Sequence, residues 1–223
     1  MNRAALDTLL LDAGNCIIYL DHEALGVLTG LDPARLASVE GIAKRIYEDF
    51  LSKEANHDPA WEILMKGMLR EGGSSDVDGD YAKALEAHTA KNLWRRVPAE
   101  LPDALRRIRA AGWKTGVVSN SEGRLIDILR EVGVAELFDT IVDSGVEGVS
   151  KPDPRIFDLA LDRLGASAER AIYAGDVPAV DVVGARAAGI EAVLIDTLDH
   201  YPDYADAPRY RTTAELIEHL LRT

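Results

Sequence analysis

One cysteine, Cys16, is all the thiol that 223 residues carry, so no disulfide can close within the chain. That scarcity fits a reducing, cytoplasmic compartment. Positive charge is short as well: 25 Lys and Arg stand against 38 Asp and Glu, a formal net charge of −13. Such a surface repels phosphate backbones and argues against nucleic-acid partners. Small anionic substrates stay open, because a metal or a local cation reverses the field inside a pocket. No apolar run approaches the roughly 20 residues needed to cross a bilayer. Strand-like residues begin at Leu6, which leaves no room for a leader peptide and points to no membrane partner. Repeats and low-complexity segments are absent too, and the oligomeric state is open at this level.

What is present reads as a globular protein. Hydrophobic residues make up 47% and charged residues 28%, ordinary proportions for a packed fold. The length suits a core domain carrying a smaller one. Leu6–Leu11 is a short apolar run ending at Asp12, the pattern of a buried strand. From Asp21 to Leu93 the periodicity is helical: Ile42, Ile46 and Phe50 share a face, as do Trp61, Leu64, Met65 and Met68. Gly72-Gly73-Ser74-Ser75 breaks this stretch before a further helix from Asp78, and no strand is expected in it.

From Val97 onward helix and strand alternate. Helices are expected at Pro102–Ala111, Arg124–Val132, Pro154–Leu164 and Val180–Ala188, closed by Gly112, Gly133, Gly165 and Gly189. Each precedes a strand: Lys114–Ser119, Thr140–Val142, Ala171–Ala174 and Ala192–Ile195. Asp196–Arg209 reads as a surface loop and Thr213–Leu221 as a last helix. Alternation of this kind implies an α/β fold, a doubly wound, Rossmann-like parallel sheet, here with an all-helical insertion after its first strand. The expected division is a core of 1–17 and 96–223 and a helical cap of 18–95, with hinges near Ile17–Asp21 and Leu93–Ala99.

Ligands of such sheets bind beyond the carboxyl ends of the strands. That rule singles out Asp12, Ser119 with Asn120, the stretch from Asp143 to Lys151, and Asp176 with Asp181. Taken singly, each has a plainer reading. An Asp after a strand is commonly a turn or cap residue, and Lys-Pro-Asp-Pro can simply start a helix, with Pro154 in its first turn. Their joint occurrence at successive strand ends is what carries weight.

In that order, LLLDAGNC, VVSNS, SKPDP and YAGDVPAVD resemble the four motifs of the haloacid dehalogenase-like (HAD) phosphohydrolases. The insertion resembles that family's helical cap, and the likeness covers essentially the whole chain. The resemblance implies a hydrolase in which Asp12 attacks phosphorus and forms an aspartyl-phosphate. It also implies roles for Ser119, Lys151, Asp176 and Asp181, and a small phosphorylated molecule as substrate. Physical chemistry is consistent with those roles. A carboxylate nucleophile needs its repulsion with the substrate screened, and Mg²⁺ supplies this while preferring oxygen ligands. Asp12, Asp176 and the Gly14 carbonyl are the expected ligands, with Asp181 bound directly or through water. Lys151 brings a point charge to Asp12 and the phosphoryl oxygens, and Ser119, Asn120 and nearby N–H groups would bind the transferring group.

One position departs from the pattern. Phosphatases of the family usually carry a second Asp two residues after the nucleophile, as the acid that protonates the leaving group. Here that residue is Gly14, and Asn15-Cys16 replaces Gly-Thr. General acid–base catalysis is worth about 10²–10⁴-fold. Four readings stay open. A phosphatase could take its acid from the cap (His22, Glu23, His57 or His88) or from water, or act on acyl phosphates, which need none. A phosphonatase-like enzyme would use Lys53 for a Schiff base. A haloacid dehalogenase would need no metal, but the Gly175-Asp176 pair speaks against it. Finally, the scaffold could serve in binding or regulation.

Overall fold

Burial on both faces decides the first element. Thr8–Leu11 forms β1, and all four side chains are buried, as expected of a central strand in a covered parallel sheet. The computed structural model describes residues 6–53 and 60–222. After β1 come β2 (Tyr19–Leu20) and four helices: α1 (His22–Thr29), α2 (Pro33–Lys53), α3 (Ala60–Gly72) and α4 (Val77–Ala90). Then follow β3 (Trp94–Arg96), α5 (Leu101–Ala110), β4 (Lys114–Ser119), α6 (Leu125–Glu131), β5 (Thr140–Asp143), α7 (Ser144–Glu147) and α8 (Arg155–Leu164). The chain closes with β6 (Ala171–Gly175), a π-helical turn (Pro178–Val182), α9 (Val183–Ala187), β7 (Glu191–Ile195), β8 (Arg209–Tyr210) and α10 (Thr213–Leu221).

Six strands make one sheet in the order β5-β4-β1-β6-β7-β8, and every pairing in it is parallel. This is the doubly wound α/β architecture expected from the alternation. β1 sits between β4 and β6, with Leu11 opposite both Val117 and Ala174. Since the strands are parallel, Asp12, Ser119 and Asp176 leave the sheet at the same edge. β2 and β3 pair only with each other.

The chain divides into two units, Met1–Tyr19 with Arg95–Thr223, and Leu20–Trp94. Each has its own core. In the sheet-bearing unit Leu10, Val118, Val142, Tyr173 and Leu194 pack with Ile156, Phe157, Ala160 and Leu161 of α8. Those four α8 positions are the apolar stripe of an amphipathic helix. The helical unit buries Leu25, Leu36, Val39, Ala43, Met65, Met68 and Leu69.

Three local expectations are corrected. β1 starts at Thr8, because Leu6 and Asp7 precede the ladder. The helix expected at Val180–Ala188 begins at Pro178 as a π turn; the extra residue per turn brings Asp181 back over Val177, whose N–H donates to Asp181 Oδ2 at 2.9 Å. The loop 196–209 ends in a sixth strand, with Ile195 opposite Tyr210. Asp196 organises that loop, accepting from His200 N–H (2.7 Å), Tyr201 N–H (3.0 Å) and Arg209 (2.9 Å).

Candidate active site

Asp12 follows β1 and is fixed by its N–H, which donates to the Ala174 carbonyl at 2.8 Å. The residue is 7% exposed. The Lys151 ammonium donates to Asp12 Oδ1 at 2.6 Å, to Asp181 Oδ1 at 2.7 Å and to the Tyr173 hydroxyl at 2.9 Å. Three N–H donors thus meet three acceptors, in a residue that is 2% exposed. The Tyr173 hydroxyl lies 2.8 Å from Asp181 Oδ1 and 3.2 Å from the Val118 carbonyl, either of which can accept its proton.

Asp181 reaches this cluster from the π turn, and the residue beneath it explains a glycine. A Cβ at Gly175 would collide with the Cγ and Cβ of Asp181. Glycine there lets the carboxylate lie against the end of β6. Asp176, the next residue, accepts from the Asn15 amide at 2.9 Å. Asn15 holds a left-handed φ of 53°, which its short polar side chain tolerates better than most. Its N–H donates to the Ile18 carbonyl at 2.9 Å, so Ala13 to Ile18 fold back as a tight turn directly after the nucleophile candidate.

One ligand oxygen from each of Asp12, Asp176 and Asp181 lies within 4.8 Å of the others, and all three residues are buried. Three carboxylates against one ammonium leave the cluster short of positive charge. Burial first, and then the Asp181 and Asp176 carboxylates, push the Asp12 carboxyl up to about 6 against the pull of Lys151. Burial works against the Lys151 charge, but Asp12 and Asp181 outweigh it and hold the ammonium above its usual range. Burial and the same acidic neighbours push the Tyr173 hydroxyl and the Cys16 thiol well up. An all-oxygen, carboxylate-rich set of this kind suits a hard divalent cation.

The residues singled out in the sequence fall as follows. Asp12, Lys151, Asp176 and Asp181 come together. Ser119 is buried at the end of β4, opposite Asp143. Asn120 turns to the backbone of Lys151: its Oδ1 accepts from Lys151 N–H at 2.8 Å and its Nδ2 donates to the Lys151 carbonyl at 3.0 Å. Asp143 closes the neighbouring loops, accepting from Gly123, Gly145 and Leu125 N–H groups at 2.9–3.0 Å. Gly14 is half-buried. In the helical unit His22 Nε2 lies 2.9 Å from Glu40 Oε2, His88 Nδ1 accepts from Leu93 N–H, and Glu23 is exposed. His57 and the Lys53 side chain lie outside the described residues. Tyr173 was not singled out, because within AIYAG it reads as one more buried strand residue.

A strand-end aspartate, a lysine on it and a second acidic pair after β6 thus share one buried site. The family model for haloacid dehalogenase-like hydrolases matches residues 7–189, and the chain belongs to that family. Among curated proteins it is 39% identical over 155 residues to haloacid dehalogenase-like hydrolase domain-containing protein 3 of Danio rerio, covering 66% of this chain and 63% of that one. To the phosphoserine phosphatase of Thermus thermophilus it is 39% identical over 141 residues, covering 62% and 55%. The matches therefore span less than two thirds of the length of these two relatives. Among solved structures, a HAD phosphatase from Thermococcus onnurineus superposes with a TM-score of 0.64 at 24% identity, over 96% of this chain and 98% of that one. That likeness concerns the fold.

Proposed function

We propose that this hydrolase is a Mg²⁺-dependent phosphatase of a small phosphorylated metabolite, working through a phospho-Asp12 intermediate. The observation that carries the reading is the buried pairing of Asp12 with Lys151 inside a three-carboxylate cluster. A phosphatase name among the relatives supports it. Asp12 and Asp176 would hold the cation with the Gly14 carbonyl. Asp181, whose two oxygens already accept from Lys151, Tyr173 and Val177, suits a water-mediated contact. The bound cation would neutralise phosphoryl charge and so permit an anionic nucleophile to approach.

The chain's own groups do the rest. Asp12 supplies the attacking oxygen. Lys151 keeps its partner carboxylate ionised and offers positive charge where negative charge accumulates in the transition state. Asn120 holds the Lys151 backbone in register, and the Ser119 hydroxyl would donate to the transferring group. The helical unit, residues 20–94, is assigned the role of cap and substrate selector. A reducing, cytoplasmic setting accords with the single cysteine. The test is phosphate release from acetyl phosphate and 4-nitrophenyl phosphate, with Mg²⁺ and with chelator. We expect turnover that requires Mg²⁺ and falls at least about 10³-fold in Asp12→Asn; a variant keeping most of the activity would remove Asp12 from the nucleophile's role.

A further inference from the structure

Transfer of a phosphoryl group to Asp12 breaks a P–O bond and leaves the electron pair on the departing oxygen. An alkoxide must take up a proton as it leaves, whereas a carboxylate departs as a stable anion. The supply of protons around Asp12 therefore bears on which phosphoryl donors can react.

Among the described residues of the sheet-bearing unit that supply is thin: the Ser119 hydroxyl at the end of β4 is no more acidic than the alcohol it would have to protonate, and the stronger donors beside Asp12 have other partners. The three N–H groups of Lys151 are engaged by Asp12, Asp181 and Tyr173. The Tyr173 proton is directed to Asp181 or to the Val118 carbonyl. The Asn15 amide is held by Asp176 and that of Asn120 by the Lys151 carbonyl. Cys16 is 1% exposed. Gly14, two residues beyond the nucleophile, has no side chain.

We infer that this site selects phosphoryl donors whose leaving group departs without a proton, acyl phosphates above all, and disfavours phosphate esters of simple alcohols. The inference rests on the phosphatase reading and narrows its substrate class. In the first step an Asp12 oxygen bonds to phosphorus, the phosphorus–acyl oxygen bond breaks, and the acyl carboxylate leaves with the electron pair. In the second, water bonds to phosphorus, the bond to Asp12 breaks, and Asp12 recovers its carboxylate. One water proton stays on the new oxygen of the phosphate, and the other passes to a phosphate oxygen or to solvent.

The experiment measures kcat/KM with Mg²⁺ for acetyl, 4-nitrophenyl, phenyl and glycerol phosphates, in the native protein and in Gly14→Asp. For the native protein we expect a steep fall as the leaving group becomes more basic, with glycerol phosphate at least about 10²-fold below acetyl phosphate. In Gly14→Asp the alkyl and phenyl esters should gain most and the slope flatten. The native series decides the matter even if the variant fails to fold. Rates within about tenfold across all four substrates would overturn the inference while leaving the phosphatase reading intact, because a proton donor would then be at work. Absence of turnover on every substrate, with no phosphate label on Asp12, would remove the phosphatase reading and the inference with it.

Discussion

At the scale of residues, three carboxylates and one ammonium share the space beyond β1 and β6, and their mutual pull shifts Asp12 and Lys151. Asp12 titrates near 6 in the fold, against about 3.9 in an unfolded chain. A raised carboxyl of this kind contributes stability that is full below the unfolded value and is lost as pH rises through the folded one. In chelator, native protein should therefore lose stability between about pH 4 and pH 6, and Asp12→Asn should lack that slope. Urea midpoints for both proteins across the range check this, and parallel curves would refute it. Tyr173 makes a second test. Tyr173→Phe keeps the ring and its edge contact with Phe157, 4.9 Å between centroids, but removes an acceptor from Lys151 and a donor from Asp181. We expect kcat to fall about tenfold, equivalent to roughly 1.4 kcal/mol, with KM little changed. A rise in KM alone would mean that the hydroxyl serves substrate binding instead. Asp12, Lys151, Asp176 and Asp181 could be found in the sequence because they stand at strand ends in a fixed order. Tyr173 could not, since its role comes from partners 8, 22 and 55 residues away.

Elements carry the next set of constraints. Long, amphipathic helices and strands with glycine stops were legible to within a residue or two, as α8, β4 and α10 demonstrate. The π turn and β8 were not. A π turn has no hydrophobic period of its own, and two-residue β8 depends on β7 and on Asp196, which grips Arg209 13 residues further on. Backbone donors and Arg209 outweigh burial and hold the Asp196 carboxyl below its usual range. Its contribution is thus present above about pH 4 and lost as pH falls below that. Asp196→Ala should destabilise the fold by about 1–3 kcal/mol at pH 7, and the deficit should shrink as the pH approaches 3; chemical denaturation at the two pH values reads it. Gly175→Ala addresses the neighbouring strand at the same carboxyl edge of the sheet. Its methyl would displace Asp181 from the position where it meets Lys151, so activity should fall more steeply than thermal stability.

The whole molecule has two cores, and this separates what a ligand can stabilise. All three clustered carboxylates belong to the sheet-bearing unit. A cation at 100 times its Kd adds about 2.7 kcal/mol to whatever unit binds it. Calorimetry should show Mg²⁺ raising a transition that is unaffected in Asp176→Asn, while the unfolding of the helical unit stays in place. The same division has a consequence during synthesis. β1 is made first, yet its partners β4 and β6 start at residues 114 and 171. The helical unit is one contiguous segment with short-range contacts, which favours early folding. As the chain leaves the ribosome, the apolar strand that ends at Asp12 must therefore wait for more than 100 residues for its partners while the insertion behind it takes shape. Protecting that strand is a task for the nascent chain's surroundings, because the contacts that place β1 in the middle of its sheet span the whole insertion.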